Sequence, residues 1–352
     1  MNLAESLGDE ETADSVKIMI ARAIGYGKLA NFYPLLLEYL KDDNPAISKQ
    51  AILSAGTSQE PFFVRNLLAF LPSKSTRPTA RKALARYEPS EILPQLVEIS
   101  SEKEIKTDLL IQLPFLAESM DTQEAVDFLF GLVQHSDPTA KLEALEALHK
   151  IKVKFPHLTI SGKRLLPILM EEADLYRDTL AISYAAEQNL DMYAENSEIS
   201  IARKELIKLL ERRLDNNLER IFWVLGLQYR QGMILPLYKD IRHTDHNIRM
   251  NTVELLDNIL DPQLKKVIIP IVETVMHDNK SSIAINRLEL DIPSILVCFE
   301  SLFKGEDDQI KLAVLALIDA LDHPDYIPVL ELAAKDDHAK VKSYAEKLLA
   351  TE

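Results

Sequence analysis

SDPTAKLEALEAL, residues 136–148, decides how this chain folds. Asp137 and Pro138 open it. Pro is tolerated in the first helical turn, where its missing N–H has no intrahelical partner to lose. An acidic residue there also complements the helix dipole. The Ala- and Leu-rich run that follows carries its apolar residues at helical spacing.

Six more stretches repeat the pattern: DDNPAISKQAIL from 42, STRPTARKALAR from 75, SEKEIKTDLLIQ from 101, HTDHNIRMNTVELL from 243, GEDDQIKLAVLALI from 305 and DDHAKVKSYAEKLL from 336. Each places a polar turn before an apolar residue, then a basic or polar one, then an amphipathic run. The basic slot holds Arg81, Lys106, Lys141, Arg249, Lys311 and Lys342, with Ser48 the exception. Clear neighbours lie 25 to 35 residues apart. A further apolar helix precedes each copy, as in FYPLLLEYL from 32, FFVRNLLAFL from 62, AVDFLFGLV from 125 and MILPLYKDI from 233. The unit is therefore helix, polar turn, helix, and a period of this length marks a stacked-repeat architecture.

The opening Asp-Pro-x-apolar-Lys/Arg of the second helix resembles HEAT repeats. That resemblance implies an all-α superhelix, a HEAT/armadillo-type solenoid of roughly ten helical pairs. Residues 1–150 are expected to hold regular repeats, and 233–352 to resume them with a loop insertion near 277–292. Between them the turn signature fades. IKVKFPHLTISGKRL suggests a longer connector, LLPILMEEADLYRDTLAISYAAEQNL a helix pair, and 197–231 one or two long helices capped by Ser197 or Ser200. No linker separates independent domains.

A narrower resemblance covers roughly residues 30 to 275. LERIFWVLGLQY, 218–229, followed by DIRHTDHNIRMNTVELLDNILDPQLKKVIIPIVE, 240–273, is similar to the HEAT-repeat region of bacterial fusion proteins that carry an ATP/ADP-translocase-like transporter. Those fusions often include a cyclic-nucleotide-binding domain. This chain departs from them: its longest apolar runs, VIIPIV and SILVCF, are far short of a membrane span. Transport is not carried over. The resemblance implies a cytoplasmic scaffold or regulatory piece near a membrane, with no catalytic residues to transfer.

Composition narrows the function. The 352 residues are 47% hydrophobic, with 9 glycines and a net charge of −15. So acidic a chain argues against phosphate binding as its main business, since nucleic-acid affinity rests on Lys and Arg. No nucleic-acid partner is expected. A single cysteine, Cys298, excludes an internal disulfide framework and suits a reducing compartment. The N-terminus lacks a basic-then-apolar leader pattern.

Candidate chemistry is sparse. His243 and His246 form H-x-x-H in a turn with no third ligand near. Glu171, Glu172 and Asp174 beside Tyr176 have no partner nucleophile, and an exposed acidic helix end is the expectation. Trp223 is expected to pack in the core. No catalytic, cofactor or metal residue is assigned. Two polar faces remain. Lys204, Lys208 and Arg212 recur along one basic helix, a solvated face or a contact for an anionic membrane surface or acidic partner. In 248–262, Asn251, Glu254, Asp257 and Asn258 segregate from Ile248, Thr252, Leu255, Leu256 and Ile259. A face without positive charge suits a basic or amide-rich peptide. It equally suits asparagines that bond neighbouring helices.

The leading expectation is a non-enzymatic protein-interaction scaffold in the cytoplasm. The alternatives are a regulatory domain of a nucleotide-transporter-like membrane protein, and a HEAT-scaffold enzyme such as a DNA glycosylase or bilin lyase.

Overall fold

The computed structural model describes residues 10–102, 105–189, 197–276, 282–305 and 307–350, and every regular element among them is a helix. The loop expected near 277–292 falls partly outside the described residues, as does the side chain of Ser197. The helices cluster into two compact units, Met1–Ile160 and Ser161–Glu352. The boundary falls inside the stretch where the repeat signature fades.

Unit 1 holds α1 (Glu10–Gly27), α2 (Tyr33–Leu40), α3 (Pro45–Ser58), α4 (Val64–Leu68), α5 (Arg77–Leu84), α6 (Pro89–Ser100), α7 (Thr107–Leu110), α8 (Leu113–Ala117), α9 (Gln123–Val133) and α10 (Pro138–Lys154). They form two layers. In one, α1 packs on α3 and α3 on α5; in the other, α4 packs on α6 and α6 on α9. Caps set the helix starts as the turns predict. Asn44 Oδ1 accepts from Ala46 N at 2.9 Å, and Asp137 Oδ1 accepts from Thr139 N and Ala140 N, each at 2.9 Å. The stretch from 101 departs from its copies. Pro114 divides its helix into the short α7 and α8, and Lys106 stands before the first turn rather than within it.

The first layer is tight because two glycines let backbones meet. A Cβ on Gly25 would lie 2.5 Å from the Ser54 carbonyl oxygen, and one on Gly56 only 2.6 Å from Ala83 Cα. The two glycines sit one repeat apart, so α1 presses a bare backbone against α3, and α3 one against α5.

Unit 2 holds α11 (Gly162–Asn189), α12 (Ser197–Gln228), α13 (Leu235–Asp240), α14 (His246–Ile259), α15 (Pro262–Met276), α16 (Ser282–Arg287), α17 (Ile295–Lys304), α18 (Asp308–Leu321), α19 (Ile327–Ala333) and α20 (Ala339–Leu349). Its centre is the pair of long helices, α11 and α12, of 28 and 32 residues, which pack on each other. The first half of α12 buries Leu206, Leu209 and Leu210 with Phe299, Val314 and Val341 of the last helices. Its second half turns to α13, where the Phe222 and Tyr238 rings lie 5.4 Å apart.

Two sequence expectations change here. Residues 165–189 lie in one helix, not a pair. And the acidic residues within it are not an exposed helix end. They lie mid-helix, with Glu171 and Asp174 exposed but Glu172 only 3% exposed. Glu172 is buried because α12 supplies its partners, as described below.

Candidate functional site

The residues of the basic slot behave differently from one copy to the next. In unit 2, Lys311 Nζ donates to Asp336 Oδ2 at 2.7 Å, and Asp336 Oδ1 accepts from His338 N at 2.9 Å. Both side chains are 9% exposed. Unit 1 has the same device at its start: Lys17 Nζ donates to Asp42 Oδ2 at 3.0 Å, and Asp42 Oδ1 accepts from Asn44 N at 3.0 Å. In each case a lysine on one helix bonds the turn that opens a later helix 25 residues on. The backbone N–H of Asn44 and the Lys17 ammonium hold Asp42 below the usual carboxylate range. Burial alone would raise Asp336, but Lys311 and the His338 N–H outweigh it and the net shift is downward. Lys17 belongs to DSVK, 14–17, which matches the apolar-then-basic slot; the signal was present in the sequence and unread.

Arg81 reaches across instead to Gln112 Oε1 at 2.8 Å and stacks 3.4 Å from the Phe115 ring centroid. Arg249 turns back on its own turn, donating to the His243 and Thr244 carbonyls at 2.7 and 3.1 Å. Lys141 is half-buried, and Lys106 and Lys342 are exposed.

A buried ion pair lies between α11 and α12. Arg220 Nη2 sits 2.9 Å and Nε 3.0 Å from Glu172 Oε2, and the Asn217 amide also donates to that oxygen. Arg220, Glu172 and Asn217 are each 3% exposed or less. Nearby, Tyr176 and Thr274 share a hydroxyl hydrogen bond of 3.0 Å across 98 residues. Burial pushes the Tyr176 phenol up to about 12. The group fastens α11 to α12. Sequence reasoning missed Arg220 and Asn217; a basic and an amide residue on the inner side of an otherwise apolar helix face, LDNNLERIF, was the available signal.

The acid-and-amide face of α14 is exposed at all four positions, Asn251, Glu254, Asp257 and Asn258. Asp257 accepts from Lys265 Nζ at 3.2 Å. Two large apolar residues share the surface, Met250 at 49% and Leu255 at 47% exposure; Leu255 was expected on the packed side. Only Thr252 and Leu256 of this helix are buried. The matching helix α18 buries seven residues, from Ile310 to Ile318. The difference is one of neighbours: α18 packs on α12, whereas α14 rests on α13 and α15.

Lys204, Lys208 and Arg212 are exposed along α12. Lys208 stands 4.0 Å from Glu205, and Arg212 donates to Gln309 Oε1 at 2.6 Å. Ser200 falls inside α12 rather than before it. Trp223 is half-buried. Cys298 is fully buried, and burial pushes its thiol up to about 11, far from a reactive thiolate. His243 and His246 are exposed, and His243 Nδ1 accepts from Asp245 N at 3.0 Å. Among the described residues no group of His, Cys, Asp and Glu is placed to hold a metal ion, and no helix is long and apolar enough to cross a membrane.

No protein-family model matches the chain, and no curated protein matches it. Among solved structures, the crystal structure of an engineered protein matches at 14% identity over 99% of this chain and 98% of its own, with a TM-score of 0.24. At that score the likeness carries no argument about fold.

Proposed function

We propose that the chain is a non-enzymatic protein-interaction scaffold, its helical pairs stacked within each unit in the manner of HEAT repeats, and that α14 presents a partner-binding face. The stacking is supported by the recurring capped helices and by the two lysine–aspartate bonds that tie a helix to the turn 25 residues on. The observation that carries the binding reading is the contrast between α14 and α18. Two copies of one motif differ in what covers them, and the uncovered copy shows Met250 and Leu255 beside Asn251, Glu254 and Asn258. Exposed methionine and leucine on either side of a polar stripe offer a partner both apolar and polar contacts. Carboxylate and amide groups around it select a basic or amide-rich peptide. The reducing compartment suited to one buried thiol is the cytoplasm.

The test compares proteins retained by the immobilised wild-type chain with those retained by Glu254→Lys, with Arg65→Ala as a surface control in unit 1. Glu254→Lys keeps the wild-type melting temperature and loses a protein that the control retains. Retention of every protein equally by both variants refutes the α14 face. A clear fall in stability from Asn258→Ala would return that residue to a structural role.

A further inference from the structure

A basic surface lies in unit 1, away from α14 in sequence and independent of the reading above. Residues 61–87 hold six Lys and Arg and no Asp or Glu, within a chain whose net charge is −15. Five of the six, Lys74, Arg77, Arg81, Lys82 and Arg86, fall on α5 and the turns that flank it. Among the described residues their bonding partners are neutral. Arg77 donates to the Leu71 and Pro72 carbonyls, both at 2.7 Å, and Arg86 to the Thr57 hydroxyl at 2.8 Å. Lys74 and Lys82 are exposed and have no bonded partner there. Arg81 is fixed by Gln112 and the Phe115 ring, and its buried Nε has no acceptor. Burial and the neighbouring Arg77 hold it below the usual guanidinium range, against the pull of Glu118 and Glu143. Glu118 is itself bonded to Lys150 at 2.8 Å. Lys17 and Lys311 each meet an aspartate six residues before the next slot, Asp42 before Ser48 and Asp336 before Lys342. Six residues before Lys106 the chain has Ser100, whose hydroxyl donates to the Val97 carbonyl at 3.0 Å. Arg81 is thus a slot cation without its carboxylate, and with Arg86 it lines a cleft of about 350 Å³.

We infer that α5 and its flanking turns dock an acidic segment of a partner protein, and that Arg81 takes one carboxylate of that segment. A guanidinium fixed over a ring presents its remaining N–H groups as a rigid fork, which suits a carboxylate. Lys74, Lys82 and Arg86 add positive charge around it, with no acid of their own stretch to compete. The cleft also limits the occupant. Glu88 and Asp121 line it too, and Asp121 lies 2.8 Å from the His157 ring nitrogen Nε2. Charge that continues past the cleft, as on a nucleic-acid strand or an anionic bilayer, is repelled by those carboxylates. A short segment places its acids on the arginine side alone.

The experiment uses the full chain at about physiological ionic strength, with a Glu/Gly peptide, a Lys/Gly peptide, a single-stranded oligonucleotide and phosphatidylserine vesicles as probes. Peptide and oligonucleotide binding is read by fluorescence anisotropy and vesicle binding by co-sedimentation. Amide hydrogen exchange locates the bound surface. The Glu/Gly peptide is expected to bind at least about tenfold tighter than Lys/Gly and to protect α5 and the turns beside it. Arg81→Gln weakens it about tenfold. Lys74→Gln combined with Lys82→Gln, at two exposed sites that leave the melting temperature unchanged, weakens it about fivefold. A Glu/Gly peptide that does not bind, that binds either variant as tightly as the wild type, or that protects amides elsewhere would overturn the inference. So would tighter binding of the oligonucleotide or of the vesicles than of the peptide. Concentration-dependent self-association abolished by the Lys74→Gln, Lys82→Gln variant would overturn it in favour of a second copy.

Discussion

Unit 1 is tied together by side chains roughly one repeat apart, and unit 2 adds to bonds of that span, such as Lys311–Asp336, others that reach several repeats away. In unit 1 the cross-helix bonds run from Lys17–Asp42, 25 residues, to Arg65–Glu102, 37 residues. In unit 2 the Arg212–Gln309, Tyr176–Thr274 and Arg177–Leu288 bonds span 97, 98 and 111. The same capped-helix motif serves both. In unit 1 it opens α3 and α5, with α1 packed on α3 and α3 on α5, and in unit 2 it opens α18, which packs on the long helix α12. A repeat motif thus encodes where a helix begins, and leaves open what the helix packs on.

The two kinds of fastening differ in how much they hold, which makes them separable by mutation. The largest effect is expected at Arg220→Ala. It leaves Glu172 buried with its ion-pair partner gone, at a cost of about 3–5 kcal/mol. Urea unfolding should show the loss, and hydrogen exchange should confine it to unit 2. A cost below about 1 kcal/mol would show that water reaches Glu172 easily.

Gly56→Ala tests unit 1 at its tightest point. The added methyl meets the Ala83 backbone, and the overpacking costs about 1–3 kcal/mol despite the better helix propensity of alanine. Stabilisation would mean that α3 and α5 can part freely.

Asp336→Asn removes the charge from a bond that has a counterpart in unit 1. The folded carboxyl titrates below its unfolded value of about 3.9, so its contribution is complete above that pH and is lost as pH falls through the lower folded pKa. The gap between wild type and variant should be about 1–2 kcal/mol at neutral pH and should close below about pH 4. A gap that persists at pH 2 would rule out the charge as its source. The smallest effect belongs to Arg65→Ala. Arg65 is 58% exposed and its partners Glu98 and Glu102 are 70% and 40% exposed, so about 0.5 kcal/mol or less is expected in thermal melts.

Helix starts were largely legible. Asn44, Asp137, Asp245 and Asp307 cap where the polar turns placed them. The cap acceptor and its N–H lie two or three residues apart, so the sequence window contains the whole interaction. The copy at Asp14-Ser15-Val16-Lys17 went unread, since no apolar run precedes it to complete a helical pair. The merging of 165–189 into one helix was not legible, since an acidic run in a helix interior looks like a turn until its counter-charge is known. For the α14 face, periodicity found the polar stripe but put Leu255 on the packed side.

The sequence by itself determined that the chain is helical, where most helices open, and which residues could line their faces, because propensity, capping and periodicity act within a few residues. Only the tertiary structure decided which of those faces are covered. Glu171 and Glu172 are adjacent and alike, yet one is exposed and the other is 3% exposed. α14 and α18 share a motif, yet one buries two residues and the other seven. Burial is set by a partner brought from far along the chain. Arg220 reaches Glu172 across 48 residues, and no local window holds both.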